Sequence, residues 1–417
     1  EAVSNGLPML REPRVRTGKT TMNLMAVSLA LTAGGLLVCY LLNAVHAEHG
    51  RTLNAQLVDT VIGGFRPGGL PLGPVFVVIT LVSEAALLFV AAQAGFLDGP
   101  RVLSSMAVDS WIPHRFSHLS DRLVIKNGIM LMGLSALAIL LATRGRVEIL
   151  VVMYSINVFI TFTLSQLGMC RHWLQVRRTD TTWLHKFMPN FVGLVLSAGI
   201  LVMTVIFKFT DGGWVTMILT GLFVTVCFVT RNHYADIKRL LRNLDERLMN
   251  IPAGQTPMAP RKPDPKRPVA GLLVTKFDGL GIHSILTIKR LFHNHYSGIV
   301  FLSVGIIDSS RFKGADEVQN LEAQTREDLE KYVAFCAEHG LPADFRYVLG
   351  TDAVDEIVDL ALAAAKDYPQ LVLFAGKLVF AEEQAHHRLL HNETAAAVQR
   401  RLHLRNVPMM ILPIKAD

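Results

Sequence analysis

The stretch VEILVVMYSINVFITFTLSQLGMC, Val147 to Cys170, decides how this chain is read. It is a long apolar run with one charge, Glu148, near its start. At about 1.5 Å of rise per residue, a helix of this length crosses a hydrocarbon core of about 30 Å. It also carries Tyr154, Asn157, Thr161, Thr163, Ser165 and Gln166, at depths where lipid offers a polar group no partner. Such a ladder turns toward neighbouring helices or toward a water-filled path. Helix–helix hydrogen bonding accounts for any one of these residues. As a set, Tyr154, Asn157, Thr161 and Ser165 recur every three or four positions, which places them on one face and reads as a pathway-facing stripe.

The composition agrees with a membrane domain followed by a soluble one. Of 417 residues, 51% are hydrophobic and 18% charged, and the mean hydropathy is +0.37. The apolar excess is confined to residues 1–231. A net charge of +7 would fit nucleic acid as a partner, but the cations sit in short loops between apolar runs, where they set membrane orientation. Cys39, Cys170, Cys227 and Cys336 have no paired spacing, so neither a disulfide framework nor a metal site is expected. The chain begins at Glu1 without Met or a leader, inside what reads as a helix, and an N-terminal portion is expected to be missing.

Outward from the organising helix, further spans are expected near Met22–Val45, Val75–Phe96, Asn127–Ala142, Phe191–Phe207 and Trp214–Thr230. Loops around 11–19, 101–126, 171–186 and 231–247 are rich in Lys and Arg, and the intervening ones are poorer. Six spans that start and end on the cation-rich side are self-consistent and place the C-terminal part in the cytoplasm. Residues 232–267 read as a basic amphipathic helix and a Pro-rich, semi-extended linker. From 268 to 417 the period changes. The strand-like stretches PVAGLLVT, GIVFLSVGII, DFRYVLG, LVLFAG and PMMILPI alternate with helical stretches, which predicts a parallel sheet covered on both faces.

Several of these stretches together resemble one family. EAVSNGLPMLREP (1–13) is similar to the second half of the broken sixth helix of the amino acid–polyamine–organocation superfamily, and PHRFSHLSDRLVIKNGIMLMG (113–133) to its segment between helices eight and nine. YSINVFITFTLSQLGMCRHW (154–173) resembles the tenth helix of that superfamily's Kup/Kim-type potassium–proton symporters. Residues 268–417 resemble the universal stress protein fold. The resemblance implies an α-helical membrane bundle, a partial LeuT-like fold running from helix 6b to helix 12, joined to a cytoplasmic α/β domain. In this fold the substrate site lies at the unwound middles of helices one and six. On the positions that match, the resemblance makes Tyr154 a cation ligand and Glu1 a proton-coupling group. Asn157, where those symporters tend to have Gly, stands beside them in the candidate ion site and leaves an organic substrate open.

Other candidates come from the residues themselves. Glu84 lies mid-span in VITLVSEAALLFVAAQ, where an ionisable group costs a few kcal/mol and is a proton-coupling candidate by default; the alternative is a hydrogen-bonded structural carboxyl. In the soluble part, Asp278 in TKFDGLGIHS follows the first strand, and open parallel sheets bind ligands at that end. The universal stress protein resemblance implies that Asp278 and Gly376 contact a nucleotide. That family's glycine-spaced phosphate loop is not repeated here, because KLVFAEEQAHHRLLHNETAAA follows Gly376 without a second glycine. His386, His387 and His391 fit a solvated face better than a metal site, and Cys336 reads as a small core residue.

The function expected is secondary active transport: proton-coupled potassium uptake across the inner membrane, with a regulatory cytoplasmic domain and no cofactor. A proton-coupled amino-acid or amine permease is the alternative within that class, and a membrane-anchored nucleotide sensor the alternative outside it. An enzyme is not expected, since no nucleophile–base constellation is present. The last strand, PMMILPI, is apolar on both faces, and Pro408 and Pro413 are compatible with an edge position. In the resembled fold this strand often pairs across a two-fold axis, so the resemblance implies a homodimer through residues 268–417.

Overall fold

The computed structural model describes residues 10–46, 51–65, 72–120, 124–248, 259–293, 295–307, 315–379 and 394–415. Glu1 and the histidines at 386, 387 and 391 lie outside the described residues.

The N-terminal part is helical: α1 (Arg14–Leu42), α2 (Leu53–Ile62), α3 (Leu72–Val108), α4 (Lys126–Ala142), α5 (Val147–Val176), α6 (Trp183–Lys208) and α7 (Trp214–Leu248). Among the described residues, four helical stretches are long and apolar enough to cross a membrane, namely α1, α3, α5 and the continuous stretch Trp183–Leu248. The last is two helices. Residues 209–213 turn between α6 and α7, with Asp211 outside helical geometry and Gly212 at φ 109°, a conformation that costs a residue without Cβ little. The span expected at Asn127–Ala142 is α4, a 17-residue apolar helix shorter than the other candidates.

Three boundaries differ from the sequence expectation. α3 continues past Phe96 through Pro100, which is buried against Gly128 of α4. α7 runs unbroken from the expected last span into the basic segment, 35 residues in all. The loop expected between the first two spans holds α2, whose first turn is capped by the Thr52 hydroxyl accepting from the Ala55 N–H at 3.1 Å. α5 packs along α6, and Ile156 of α5 is fully buried against Gly213. Large apolar side chains cover the outside of these helices, as contact with lipid requires.

The C-terminal part is a five-stranded, all-parallel sheet in the order β3-β2-β1-β4-β5. Its strands are β1 (Val269–Leu273), β2 (Ile299–Ile306), β3 (Ala343–Gly350), β4 (Leu371–Val379) and β5 (Met409–Lys415). The crossover helices are α8 (Gly279–Leu291), α9 (Ala315–Glu338), α10 (Ala353–Asp367) and α11 (Thr394–His403). α8 and α9 cover one face, burying Ile282, Ile285, Leu329 and Tyr332; α10 and α11 cover the other with Val358, Ala361, Val398 and Leu402. Cys336 is buried in the first core, where burial pushes its thiol up to about 12 and keeps it neutral. β5 lies at the sheet edge, as expected. The linker end is extended and tied down: Ala343 N–H donates to the Arg261 carbonyl at 2.8 Å, and Lys262 pairs with Asp344 at 3.2 Å.

Candidate functional site

Two regions carry the candidate residues. The first is the polar ladder of α5. Tyr154, Asn157, Thr161 and Ser165 do share one exposed face, opposite the buried Met153 and Ile156. Tyr154 is 70% exposed. Asn157 is tied across the bundle: its Oδ1 accepts from the Thr220 hydroxyl of α7 at 2.9 Å. Thr161 and Thr163 return their hydroxyls to their own helix, at the carbonyls of Asn157 and Phe159. The ladder is therefore partly helix glue at Asn157 and partly an open polar face at Tyr154.

Glu84 is half-buried on α3, at the end of a hydrogen-bond chain that begins on two other helices. The Asn54 amide of α2 donates to Glu84 Oε1 at 2.8 Å. The Tyr40 hydroxyl of α1 in turn donates to Asn54 Oδ1. The Tyr40–Asn54–Glu84 chain thus joins three helices by hydrogen bonds.

The second region is the crevice at the carboxyl ends of the strands, beside the β1–β4 switch point, where ligands of open parallel sheets bind. A cavity of about 320 Å³ there is lined by Thr275, Asp278, Ser284 and Gly376 over an apolar wall that includes Leu302, Val304 and Ile357. Asp278 and Gly376, singled out from sequence, are thus brought to one cavity. Asp278 is 7% exposed. It caps α8, its Oδ1 accepting from the Gly281 N–H at 3.0 Å. The Tyr332 hydroxyl donates to the Lys276 carbonyl at 2.9 Å and accepts from the Asp278 N–H at 3.2 Å, which fixes the turn. Gly281 has no room for a Cβ, which would strike that same hydroxyl. Burial raises the Asp278 carboxyl above its ordinary value, against the lowering effect of the Gly281 N–H and Lys276.

That shift has a stability consequence. A carboxyl whose folded pKa is raised holds its proton more tightly folded than unfolded, so its ionisation costs stability. Its contribution is most favourable below the ordinary carboxylate range and declines as pH rises toward the raised value. Asp278→Asn keeps an acceptor for Gly281 and removes the buried charge. We expect it to equal or exceed the unsubstituted domain in stability at neutral pH, whereas Asp278→Ala loses about 1 kcal/mol with the cap. Denaturant unfolding at pH 4 and pH 7 checks this; an Asn variant as unstable as the Ala variant contradicts it.

No family model matches the chain. Over 246 residues the chain is 28% identical to the potassium transporter KimA of Bacillus subtilis strain 168; the match takes in 59% of this chain and 39% of KimA. The chain thus spans well under half the length of that relative. Among solved structures, a universal stress protein family member from Burkholderia pseudomallei matches 36% of this chain and all of its own length, at 14% identity and a TM-score of 0.27.

Sequence reading did not find the contacts between the two parts. Gly279 N–H donates to Asp245 Oδ1 of α7 at 2.6 Å, and a Cβ on Gly279 would meet the Leu244 backbone at 2.9 Å. His118, from the loop after α3, reaches the crevice lining. The one signal for these contacts was the basic character of that loop and of α7, which indicated a membrane side and not a docking partner. Among the described residues, no group of three or more His, Cys, Asp or Glu is placed to hold a metal ion.

Proposed function

We propose that this chain is part of a proton-coupled potassium uptake system, a secondary transporter of the amino acid–polyamine–organocation type with LeuT-like architecture. The observation that carries this reading is the 246-residue likeness to the potassium transporter KimA. The open polar face of α5 supports it, since a helix that only anchors a domain has no use for a row of Tyr, Asn, Thr and Ser. Tyr154 and Asn157, with Glu1, are the proposed ion-site residues; Glu84 and Glu1 are the proposed proton-coupling groups. The α/β domain is proposed to be cytoplasmic and regulatory, with Asp278 and Gly376 at a nucleotide site. Reconstitution in proteoliposomes tests the cargo: rubidium uptake is expected, and uptake of radiolabelled amino acids or amines without rubidium overturns the reading.

Glu84→Gln tests the coupling. It keeps the size of the side chain and a contact with Asn54 while removing the ionisable group, so the pH dependence of rubidium uptake should flatten in this variant. An unaltered pH profile returns Glu84 to a structural role.

The assembly proposed is a homodimer held by residues 268–417. β5 has one side unpaired in the sheet order, and Met410 on it is 44% exposed. An apolar parallel edge of this kind is an aggregation hazard unless a second copy or another segment covers it. Deletion of 268–417 is expected to turn the detergent-solubilised dimer into a monomer, as read by its mass. A dimer that survives the deletion puts the interface in the membrane.

A further inference from the structure

We propose that the hollow between the α4–α5 turn and the α6–α7 turn is a headgroup site for a phospholipid that bears a primary ammonium, with Arg146 and Lys208 holding its phosphate and Glu148 and Asp211 its ammonium. The inference rests on the reading of α5 and Trp183–Leu248 as membrane-crossing helices, and it is independent of the cargo.

The hollow has a volume of about 910 Å³. It lies at the start of α7, about 45 Å along that helix from Asp245, where α7 meets α8. Its frame is held by close packing. Gly212, at φ 109°, seats the α6–α7 turn on α5 so tightly that a Cβ there would stand 3.1 Å from Ile149 Cγ2. Gly213 is set as closely against the buried Ile156, where a Cβ would meet Cδ1 at 3.2 Å. On the other side the Thr143 hydroxyl donates to the Ile139 carbonyl at 2.9 Å and ties off the end of α4.

Charge complementarity selects the headgroup. Arg146 and Glu148 are exposed and make neither an ion pair nor a side-chain hydrogen bond among the described residues. Lys208 holds Asp211 at 3.0 Å, and both side chains stay about half exposed. An ammonium has three donors and a carboxylate two oxygens, so each member of that pair keeps capacity for a ligand. Two cations and two carboxylates thus face one hollow. A purely anionic headgroup would leave both carboxylates opposing it, and a simple cation would leave both cations opposing it. A phosphate joined to a primary ammonium satisfies all four, and a trimethylated ammonium has no N–H to donate.

The walls select an amphiphile. Val151 and Val152, about one turn farther into the apolar run than Glu148, continue the hollow below its charged mouth. Trp214 lines it and is 48% exposed, in a place where an indole suits the boundary between lipid and water. The hollow is therefore charged where a headgroup sits and apolar where an acyl chain begins.

The test is native mass spectrometry of the full protein in detergent. It is titrated with phosphatidylethanolamine, phosphatidylcholine and phosphatidylglycerol of the same acyl chains, and with glycerophosphoethanolamine, which has none. We expect phosphatidylethanolamine to bind about tenfold or more tightly than the other three. Glu148→Gln breaks no contact, and it should erase that preference while leaving phosphatidylcholine binding unchanged, which also checks the fold. Arg146→Ala should weaken all three phospholipids. Equal binding of the three means lipid that merely surrounds the helices, and the inference fails. It fails as well if phosphatidylglycerol binds tightest, which makes the hollow an anion site, or if glycerophosphoethanolamine matches the lipid, which makes the ligand a soluble zwitterion. A preference that survives Glu148→Gln places the headgroup elsewhere and overturns the assignment.

Discussion

Replacing Tyr332 with alanine is expected to destabilise the α/β domain by about 3–5 kcal/mol, the cost of deleting a large buried aromatic side chain. Tyr332 is fully buried and stacks on Phe301 at 4.8 Å with the rings 17° apart, while Phe277 meets it edge-on at 4.8 Å. Its hydroxyl also bridges the Lys276 carbonyl and the Asp278 N–H, so the alanine variant loses the core and leaves two backbone groups of the β1–α8 turn without that partner. Tyr332→Phe separates the two effects. It keeps the stacking and removes the bridge, for an expected loss of about 1–3 kcal/mol. Hydrogen exchange across β1 and α8 reads both variants. An alanine variant that keeps native protection there would show that the turn is held by something other than this ring.

On the proposed reading as a potassium transporter, uptake should suffer most from Tyr154→Phe. If Tyr154 is a cation ligand, the phenylalanine keeps the ring packing and removes the oxygen. A ligand to a charged group is worth about 1.5–3 kcal/mol, so half-saturation should rise about tenfold to a hundredfold with little change in protein level. Rubidium uptake against external potassium measures the shift. Unchanged affinity removes Tyr154 from the ion site and leaves it as one more exposed aromatic on an apolar helix. The neighbouring Asn157→Ala gives a contrast: it breaks the 2.9 Å bond to Thr220, so its effect should fall on helix packing as well as on affinity.

Much of the fold could be read from the chain. All five strands fall at the runs expected for them; the inner strands β1 and β2 are buried on both faces and apolar nearly throughout, while the edge strand β3 carries Asp344 and Arg346. α9 is charged along most of its length, yet it buries Leu321, Leu329 and Phe335. α2 was missed. Ten residues of moderate amphipathicity inside a polar loop give a weak periodic signal, and Thr52 as a cap is common outside helices as well. α3 runs past the end of the apolar span at Phe96, and Pro100 stays within the helix with Gly128 packed against it.

The candidate sites were legible as residue types and opaque as environments. Glu84 stood out because a carboxyl is costly in an apolar run, yet nothing near it in sequence named Asn54, thirty positions earlier, as its donor. Asp278 stood out at a strand end, and its cap to Gly281 is local enough to expect. Its contact with Tyr332, fifty-four positions away, is not.

From sequence alone come the two-part organisation, the apolar helices, the parallel sheet and the edge position of the last strand. Each follows from hydrophobic patterning along neighbouring residues, which reports how many faces of a segment leave water. The tertiary structure alone decided which faces meet: Tyr40, Asn54 and Glu84 in one chain of hydrogen bonds, α7 against α8, and His118 over the Asp278 crevice. These pairings join residues from 14 to more than 150 positions apart. They are settled by packing shape and polar satisfaction across the whole fold, and they leave no periodic mark on the local sequence.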